Sequence, residues 1–318
     1  MNTNLTFHDH KPGALSLQDA VVNGLSKKQK SIAPKFFYDQ RGSELFDKIC
    51  KQPEYYPPTI EQSILSENVD EIANLTGEGR ILVEPGAGNA VKVRLLLNSL
   101  LPSAYVPMDI SFDYLKSVAT HLVNEYPWLR VHATCVDYTH SLPIPDLVPD
   151  GPRLLFFPGS SIGNFERDEA GQFLSMIHEA IGQNGMVLIG VDTKKNETIL
   201  NAAYNDEAGV TAEFNLNLLL RIQKELGMDF EPDNFKHNAY YNKDAGRIEM
   251  YLVSKKKQTL QINEHSIFLE KDEQVHTENS YKYSPDEFIS LSVKNGFEHV
   301  KYWTDDNSLF AVYLLMSK

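Results

Sequence analysis

The stretch Arg80-Ile-Leu-Val-Glu-Pro-Gly-Ala-Gly88 is the part of the sequence from which the fold can be predicted. Its apolar half, residues 80–84, predicts a short buried strand that stops at the glycine-containing turn formed by residues 85–88. Apolar residues at helical spacing follow, at Val91, Leu95, Leu96 and Leu97. A strand, a glycine turn and a helix in this order indicate an α/β unit of a parallel sheet.

The same alternation continues downstream. Further strands are predicted at Ala104–Met108, Val131–Cys135, Arg153–Phe157 and Gly185–Val191, with helices between them, one of them at Glu169–Ile181. This order implies a parallel sheet with helices on both faces. Near the end of the chain, Ser284 is predicted to cap a helix that has Pro285 at its first position. Two closing strands, His299–Thr304 and Leu309–Met316, would complete a seven-stranded sheet.

A second unit is predicted because the alternation stops after Asp192. A helical stretch, Ala212–Leu226, is followed by a polar loop. Strands are then predicted at Arg247–Ser254, Thr259–Leu269 and Glu273–Tyr283. We therefore expect two discontinuous domains. Residues 62–195 plus 285–318 would form a cofactor-binding domain, and residues 14–61 plus 196–284 an α+β substrate-binding domain.

The composition excludes several classes of protein. The chain has 318 residues, 42% of them hydrophobic and 23% charged, as in ordinary globular proteins. Its net charge of −13 argues against a nucleic-acid partner, and Lys255–Lys257 is interpreted as a solvated turn. No signal peptide and no membrane-spanning segment is recognised, and the two cysteines do not suggest a disulfide framework. We expect a cytoplasmic monomer that acts on a small molecule without a membrane partner.

Acidic residues stand at three successive strand ends, where parallel sheets bind ligands. Asp109 lies where a carboxylate would hold a ribose diol, and Glu84 could meet the free amino group of a sulfonium ligand. Asp137-Tyr138 could hold an adenine edge and cover its face, although Asp137 could equally cap its strand. Gly86 and Gly88 allow close backbone approach, but the third glycine of a dinucleotide motif is absent. S-adenosylmethionine is therefore favoured over a nicotinamide cofactor.

The remaining residues show no other familiar chemistry. None of the ten histidines has metal-ligand spacing, so we expect no metal. No Ser-His-Asp or Cys-His arrangement of a nucleophilic enzyme is recognisable.

Eight short motifs resemble those of one family. They are Pro34-Lys-Phe-Phe-Tyr-Asp39, Gly42-Ser-Glu-Leu-Phe-Asp47, Pro53-Glu-Tyr-Tyr-Pro57, Pro158-Gly-Ser-Ser-Ile-Gly-Asn-Phe165, Tyr204-Asn-Asp206, Gly209-Val-Thr-Ala212, Ile248-Glu-Met250 and Thr277-Glu-Asn-Ser280. From about residue 20 to its end the chain resembles the L-histidine Nα-methyltransferases of ergothioneine biosynthesis. The motifs specify the family more than the substrate, because related enzymes methylate other amino acids, including prenylated tryptophan.

The resemblance implies a class I S-adenosylmethionine-dependent methyltransferase with a Rossmann-like sheet. It implies that the α-amino group of L-histidine receives three methyl groups, which gives hercynine. The catalytic residues implied are Asn164 and Tyr38. The implied substrate-binding residues are Tyr38, Asn164, Tyr204, Met250, Glu278 and Ser280. The cofactor-binding residues that the resemblance implies are Tyr55, Gly86, Lys92, Asp109, Asp137, Tyr138 and Gly159. Glu84 and Gly88 are added to them from the strand end and the glycine turn.

The residues themselves support the substrate assignment only in part. Glu278 and Ser280 are two apart on a predicted strand, so they share a face and could bind both nitrogens of an imidazole. Without the resemblance, a solvated polar strand face would be the preferred interpretation of Glu278 and Ser280. Asn164 could then simply close a turn, and Tyr38 would be interpreted as a core aromatic residue. An N-methyltransferase of another amino acid and a non-catalytic protein that binds S-adenosylmethionine remain alternatives.

Overall fold

The computed structural model describes residues 4–10, 17–228, 230–262 and 264–318. Its α-helices are α1 (Leu17–Leu25), α2 (Gln40–Ile49), α3 (Pro57–Glu67), α4 (Val69–Thr76), α5 (Val91–Leu100), α6 (Phe112–Glu125), α7 (Arg167–Ile181), α8 (Glu197–Ala203), α9 (Val210–Leu226) and α10 (Pro285–Lys294). Its strands are β1 (Leu5–Asp9), β2 (Ile81–Pro85), β3 (Ala104–Asp109), β4 (Val131–Cys135), β5 (Arg153–Phe157), β6 (Met186–Asp192), β7 (Phe235–Asn242), β8 (Arg247–Ser254), β9 (Gln258–Ile262), β10 (His265–Leu269), β11 (Gln274–Tyr281), β12 (Phe297–Thr304) and β13 (Phe310–Ser317).

The chain divides into two compact units, each built from separated segments. Unit 1 consists of Met1–Gly13, Pro57–Lys194 and Tyr283–Lys318. Unit 2 consists of Ala14–Tyr56 and Lys195–Lys282. Each unit has its own hydrophobic core among the described residues.

A large, mostly parallel sheet forms the centre of unit 1. Its strand order is β1-β4-β3-β2-β5-β6-β13-β12. The strands from β1 to β6 run parallel, whereas β13 is antiparallel to both β6 and β12. Strands β2 and β4 are buried at every position, as expected for strands covered on both faces. The predicted α/β fold with a parallel-dominated sheet is confirmed.

The direction of chain progression reverses between β2 and β5. From β2 the chain moves outward through β3 and β4, then returns to β5 on the other side of β2 and continues to β6. Open α/β sheets bind ligands at such a point, beyond the carboxyl ends of the strands. The topology therefore predicts a ligand site at the ends of β2, β3, β4 and β5.

The sheet has eight strands in the described part of the chain, so the prediction of seven was wrong by one. Strand β1 pairs in parallel with β4, from Leu5 opposite Val131 to Asp9 opposite Cys135. The polar N-terminal sequence was not predicted to form a strand because it has no apolar run. Its backbone supplies hydrogen-bond partners along β4, which would otherwise be an edge strand.

Unit 2 contains a three-stranded antiparallel sheet in the order β11-β8-β7 and the hairpin β9-β10. Helix α9 packs against α2 and against β7 and β8. Its buried residues Phe214 and Leu218 join Phe37 and Leu45 in the core of the unit. The apolar face of α9 thus holds the N-terminal segment and the sheet together.

Two predicted elements of unit 2 were wrong. The polar loop before residue 247 contains β7, in which Phe235 and Ala239 are buried while much of the strand is polar and open to solvent. This mixed pattern is typical of a half-buried strand and lacks an apolar run. The strand predicted at Thr259–Leu269 is the hairpin of β9 and β10, because the register pairs Ile262 with His265 and the chain reverses between them.

Three segment boundaries differ from the predicted domain limits, by five, one and two residues, and the boundary at residue 14 is the same. Unit 1 also includes Met1–Gly13, which was predicted in neither domain. Helix α3 belongs to unit 1 from Pro57, because Ile64 and Leu65 pack into its core. Tyr283 also belongs to unit 1, where its backbone N–H donates to the Asp192 carbonyl at 3.1 Å. The predicted cap of α10 is confirmed, since the Ser284 side chain accepts a hydrogen bond from the Glu287 N–H and Pro285 begins the helix.

Candidate active site

The glycine turn after β2 is held at the end of β3. The N–H groups of Gly86 and Ala87 both donate to the Met108 carbonyl, at 2.8 and 3.0 Å. Gly86 and Gly88 have φ angles of +70° and +52°, in a backbone region that residues other than glycine rarely adopt. A Cβ at Gly86 would lie 3.2 Å from the Tyr138 ring, whereas a Cβ at Gly88 would meet nothing closer than 3.9 Å. The backbone at Gly88 is therefore open to close approach by a ligand.

Glu84 is buried at the end of β2 with 2% of its surface exposed. One carboxylate oxygen accepts a hydrogen bond from the Tyr105 hydroxyl. Burial raises the pKa of Glu84 to about 8, although the Tyr105 hydrogen bond and the nearby charge of Lys92 favour the ionised form. A cationic group placed beside Glu84 would be attracted to its charged form.

Asp109 ends β3 with its carboxylate directed at the glycine turn. It accepts hydrogen bonds from the backbone N–H groups of Ser111, at 2.9 Å, and Gly88, at 3.3 Å. Burial raises the pKa of Asp109, while these backbone hydrogen bonds oppose the shift. A carboxylate offers about four acceptor sites, so Asp109 retains capacity for the two hydroxyls of a diol.

Asp137 and Tyr138 follow β4. The Asp137 carboxylate accepts from the Thr139 N–H at 3.1 Å and from its hydroxyl at 2.5 Å, so it does close a local turn. The Tyr138 ring packs against Phe157 and Phe173, with centroid separations of 5.9 and 6.1 Å. This packing fixes an aromatic face next to the turn at Gly86.

Glu61 was not predicted, yet it connects two predicted residues, Gly159 and Lys92. It is fully buried on α3, and its two carboxylate oxygens accept from the Gly159 N–H at 3.0 and 2.9 Å. The Lys92 ammonium donates to the same carboxylate at 2.5 Å. Glu61 therefore holds the loop after β5 to the helix after the glycine turn. No sequence signal assigns it to this site, since Gly159 is 98 residues away.

Asn164 ends a short 3-10 helix, Ser161–Asn164, that follows β5. The preceding Ser160 adopts φ +57°, and its hydroxyl accepts from the Asp192 N–H at 2.9 Å, which ties the loop to the end of β6. Among the described residues, the Asn164 side chain has no hydrogen-bond partner and is half-buried. Both its amide donor and its amide acceptor are available to a ligand.

In unit 2, Glu278 and Ser280 share one face of β11, on which successive side chains alternate. Glu278 pairs with Met250 of β8, after a bulge that lies between His276 and Glu278. Exposure is 9% for Glu278, 3% for Ser280 and 1% for Met250, so the alternative of a solvated strand face is wrong. Three predicted substrate residues thus meet in a buried position within unit 2.

Lys282 directly follows β11 with its side chain beside that of Ser280, and it was not predicted. It is 1% exposed, and its ammonium group donates to the Ser280 hydroxyl at 2.8 Å and to the Tyr204 hydroxyl at 3.4 Å. Burial raises the pKa of Glu278 to about 7, and the positive charge of Lys282 partly offsets this effect. The strand period of two provides a signal for Lys282, since residues 278, 280 and 282 face one side.

Tyrosines surround this polar face. The Tyr55 ring packs edge-on against Tyr204 at 6.0 Å, and the Tyr38 ring packs against Phe46 and Phe214, each at 5.8 Å. Burial raises the pKa of Tyr55 well above its ordinary value, with smaller contributions from Tyr204 and Glu278 among its neighbours. Tyr55, predicted on the cofactor side, therefore lies in unit 2 among the predicted substrate residues.

Two further features concern the described residues as a whole. No group of three or more His, Cys, Asp or Glu side chains among them is arranged to hold a metal ion. None of their helices is long and apolar enough to cross a membrane.

The sheet topology, the glycine turn and the acidic strand ends define a Rossmann-like enzyme that binds a nucleoside-containing cofactor. The chain belongs to the family described as histidine-specific, S-adenosylmethionine-dependent methyltransferases, which it matches over residues 17–317. This membership shows a methyltransferase that depends on S-adenosylmethionine.

Relatives of known name are similar over most of the chain. A histidine N-alpha-methyltransferase of Mycobacterium tuberculosis is 36% identical over 308 residues, which cover 95% of each chain. A 4-dimethylallyltryptophan N-methyltransferase of Claviceps purpurea is 27% identical over 327 residues, which cover 94% of each chain. Among solved structures, the CcbJ methyltransferase from Streptomyces caelestis matches with a TM-score of 0.47 and 11% identity, over 80% of this chain and 95% of that chain.

Proposed function

We propose that this enzyme transfers three methyl groups from S-adenosylmethionine to the α-amino nitrogen of L-histidine, giving hercynine. The observation that carries the proposal is the buried polar face of Glu278 and Ser280, in a chain that belongs to the histidine-specific family. A carboxylate and a hydroxyl on one strand face match the two nitrogens of an imidazole. The product would serve ergothioneine biosynthesis, the role named for a fungal relative of this chain.

Unit 1 supplies the residues that would hold the cofactor. The open backbone at Gly88 and the spare acceptor capacity of the buried Asp109 fit a nucleoside with a ribose diol. Glu84 would attract the amino group of the methionine part, and Tyr138 would cover the adenine. Lys92 and Gly159 would border the site through their shared contact with Glu61. The cofactor supplies an activated methyl group on a sulfonium.

The protein residues would bind and align the amino acid. Tyr38 and Tyr204 would bind its carboxylate, and Met250 would line the imidazole pocket. Asn164 would position the α-amine through its unpartnered amide, so that the nitrogen lone pair is directed for transfer. Alignment of this kind is the main catalytic contribution when the donor is already activated.

The amine must be neutral to attack, and its proton would leave to water. Near Asn164 the sequence offers no strong base. Unit 1 would act as the cofactor-binding domain and unit 2 as the substrate-binding domain. We further propose a cytoplasmic monomer without a nucleic-acid or membrane partner, in line with the net charge of −13.

Substrate selectivity tests the proposal directly. Purified enzyme is incubated with labelled S-adenosylmethionine and histidine, tryptophan, 4-dimethylallyltryptophan, phenylalanine or leucine. We expect kcat/KM for histidine to exceed that for the other amino acids by at least about 100-fold, because a substrate without the imidazole N–H leaves Glu278 desolvated and unpaired. Mass spectrometry of the histidine reaction should show three added methyl groups.

The double variant Glu278→Leu/Ser280→Val should narrow this margin, mainly by lowering kcat/KM for histidine. The matched control is Glu264→Leu/Ser266→Val, which replaces an exposed pair with the same spacing in the β9-β10 hairpin. A wild-type preference for a tryptophan derivative would overturn the substrate assignment. Absence of transfer to any amino acid would favour a non-catalytic protein that binds the cofactor.

A further inference from the structure

Lys282 is a lysine with almost no exposure on the strand face that carries Glu278 and Ser280. Its ammonium group donates to the Ser280 hydroxyl at 2.8 Å and to the Tyr204 hydroxyl at 3.4 Å. The same nitrogen lies 5.2 Å from the centroid of the Tyr204 ring. Burial of a lysine is costly unless its charge is compensated, so this position has a specific reason.

The direction of these hydrogen bonds follows from the chemistry of an ammonium group, which has three donors and no acceptor. Ser280 and Tyr204 must therefore act as acceptors toward Lys282. A hydroxyl that accepts from a cation directs its own proton away from that cation. Both hydroxyls are thereby oriented as donors to another partner.

The charges of Glu278 and Lys282 favour the same arrangement of hydrogen-bond donors and acceptors. Glu278, two residues before Ser280, accepts hydrogen bonds and donates none when it is ionised, and the charge of Lys282 favours its ionised form. The other ionisable groups near Glu278 among the described residues include the hydroxyl of Tyr55 and, around Tyr55, the hydroxyls of Tyr38 and Tyr204 and the thiol of Cys50. Lys282 is thus the charge that opposes a second cation in this part of unit 2.

We propose that Lys282 is a positioning residue that sets the hydrogen-bond polarity of the pocket and selects the neutral form of the imidazole ring. Glu278 accepts the ring N–H, and the Ser280 hydroxyl donates to the unprotonated ring nitrogen. The Tyr204 hydroxyl donates to the substrate carboxylate. This inference rests on the proposed function, since it takes histidine as the ligand.

An imidazolium, which carries two N–H donors, does not match this arrangement. The Ser280 hydroxyl proton would lose the ring nitrogen as its acceptor, and the two cations would repel each other in a medium of low dielectric constant. Replacing Lys282 with a neutral side chain releases the Ser280 hydroxyl and removes the repulsion. The complex of such a variant then keeps one more proton than the wild-type complex.

Binding of the trimethylated histidine product tests this, because its quaternary amine does not titrate. Calorimetry is performed on the full chain at pH 8, 7 and 6. Wild-type affinity should fall about tenfold from pH 8 to pH 6, since Glu278 has a pKa of about 7 and its ionised form accepts the ring N–H much more strongly than its protonated form. In Lys282→Met the fall should be about twofold or less, because the extra proton stays in the complex.

The matched control is Lys195→Met. Lys195 lies in the same unit and donates to the Tyr56 hydroxyl at 2.6 Å, but it is not on the β11 face. This variant should keep the wild-type dependence on pH. If Lys282→Met does not fold, Lys282→Gln replaces it with the same expected result, because it also lacks the charge.

A wild-type dependence on pH in the neutral Lys282 variants would overturn the inference while leaving the proposed function intact, because that result assigns Lys282 a packing role only. Failure of the wild-type protein to bind either histidine or the trimethylated product at any of these pH values is a different result. It would overturn the proposed function and the inference with it.

Discussion

Glu278 is 9% exposed on β11, and burial raises its pKa to about 7. Among the described residues its carboxylate has no hydrogen-bond partner, although Lys282 lies close enough to influence its charge. A buried carboxyl group without a hydrogen-bond donor destabilises the folded protein at pH values at which it is ionised. The same group can bind a ligand that supplies this donor. The cost in stability and the selectivity for imidazole therefore have the same origin.

This residue predicts how stability depends on pH. The folded protein holds the Glu278 proton up to about pH 7, whereas the unfolded chain loses it near pH 4.5, so this contribution to stability falls between these two values and is absent above them. Glu278→Gln should therefore raise the free energy of unfolding at pH 8 by about 1–3 kcal/mol relative to wild type. At pH 4.5 the two proteins should be nearly equal. Urea denaturation at both pH values measures this, and an equal difference at both would contradict it.

Residue roles could be predicted where they follow from a position on one strand. Asp109 and Glu84 stand at strand ends that the sequence already marks, and Glu278 and Ser280 have the spacing of one strand face. Lys282 follows the same spacing, but its contact with Tyr204 joins residues 78 positions apart. Contacts across such distances depend on tertiary packing, for which a single sequence carries no local signal.

At the level of elements, α3 and β6 meet at Gly190. A Cβ at this glycine would lie 1.9 Å from a Glu61 carboxylate oxygen and 3.0 Å from the Phe310 ring. The carboxylate cannot easily withdraw, since it is bound to the Gly159 N–H and to Lys92. The absence of a side chain at residue 190 therefore allows α3 to place Glu61 beneath the loop after β5.

Gly190→Ala should consequently displace Glu61 and weaken two properties together. We expect unfolding free energy to fall by about 1–3 kcal/mol, as for other overpacked sites, and affinity for S-adenosylmethionine to fall at the same time. Gly151→Ala is the control, because a Cβ there would lie 3.7 Å from Ile81, an ordinary contact. Chemical denaturation and cofactor calorimetry measure both effects. Equal stability and affinity in the two variants would show that Glu61 does not need this space.

The elements that could be predicted are those with continuous apolar runs. Strands β4, β5 and β8 were predicted with the observed bounds, because most or all of their residues are buried. Strands β1 and β7 were missed, since polar side chains occupy much of both strands. Their pairing with β4 and β8 depends on backbone hydrogen bonds, which are independent of side-chain type.

Considering the whole molecule, strand β1 is the part of unit 1 whose removal should affect stability more than cofactor binding. It pairs only with the outer side of β4 in the described sheet, away from the ends of β2 and β3 that carry Glu84 and Asp109. Its backbone hydrogen bonds contribute a modest net free energy, partly offset by the entropy of ordering the segment.

A variant that lacks residues 1–10 should fold with unfolding free energy lowered by about 1–3 kcal/mol and with cofactor affinity changed by less than about threefold. Differential scanning calorimetry and cofactor titration measure the two quantities. A variant that lacks residues 1–3 serves as the control. Loss of cofactor binding in a folded protein without β1 would show that the strand supports the site through β4.

The segmented composition of the two units has a consequence for synthesis on the ribosome. Ala14–Tyr56 leaves the ribosome early, but the rest of unit 2 lies in Lys195–Lys282. The sheet of unit 1 is also completed late, because β13, which lies between β6 and β12, is the last of its strands in the sequence. Neither unit can close before its last segment has been synthesised, so the nascent chain carries unpaired strands and apolar segments while the intervening residues are made. Chaperone binding during translation, rather than stepwise domain folding, is the route that this chain order favours.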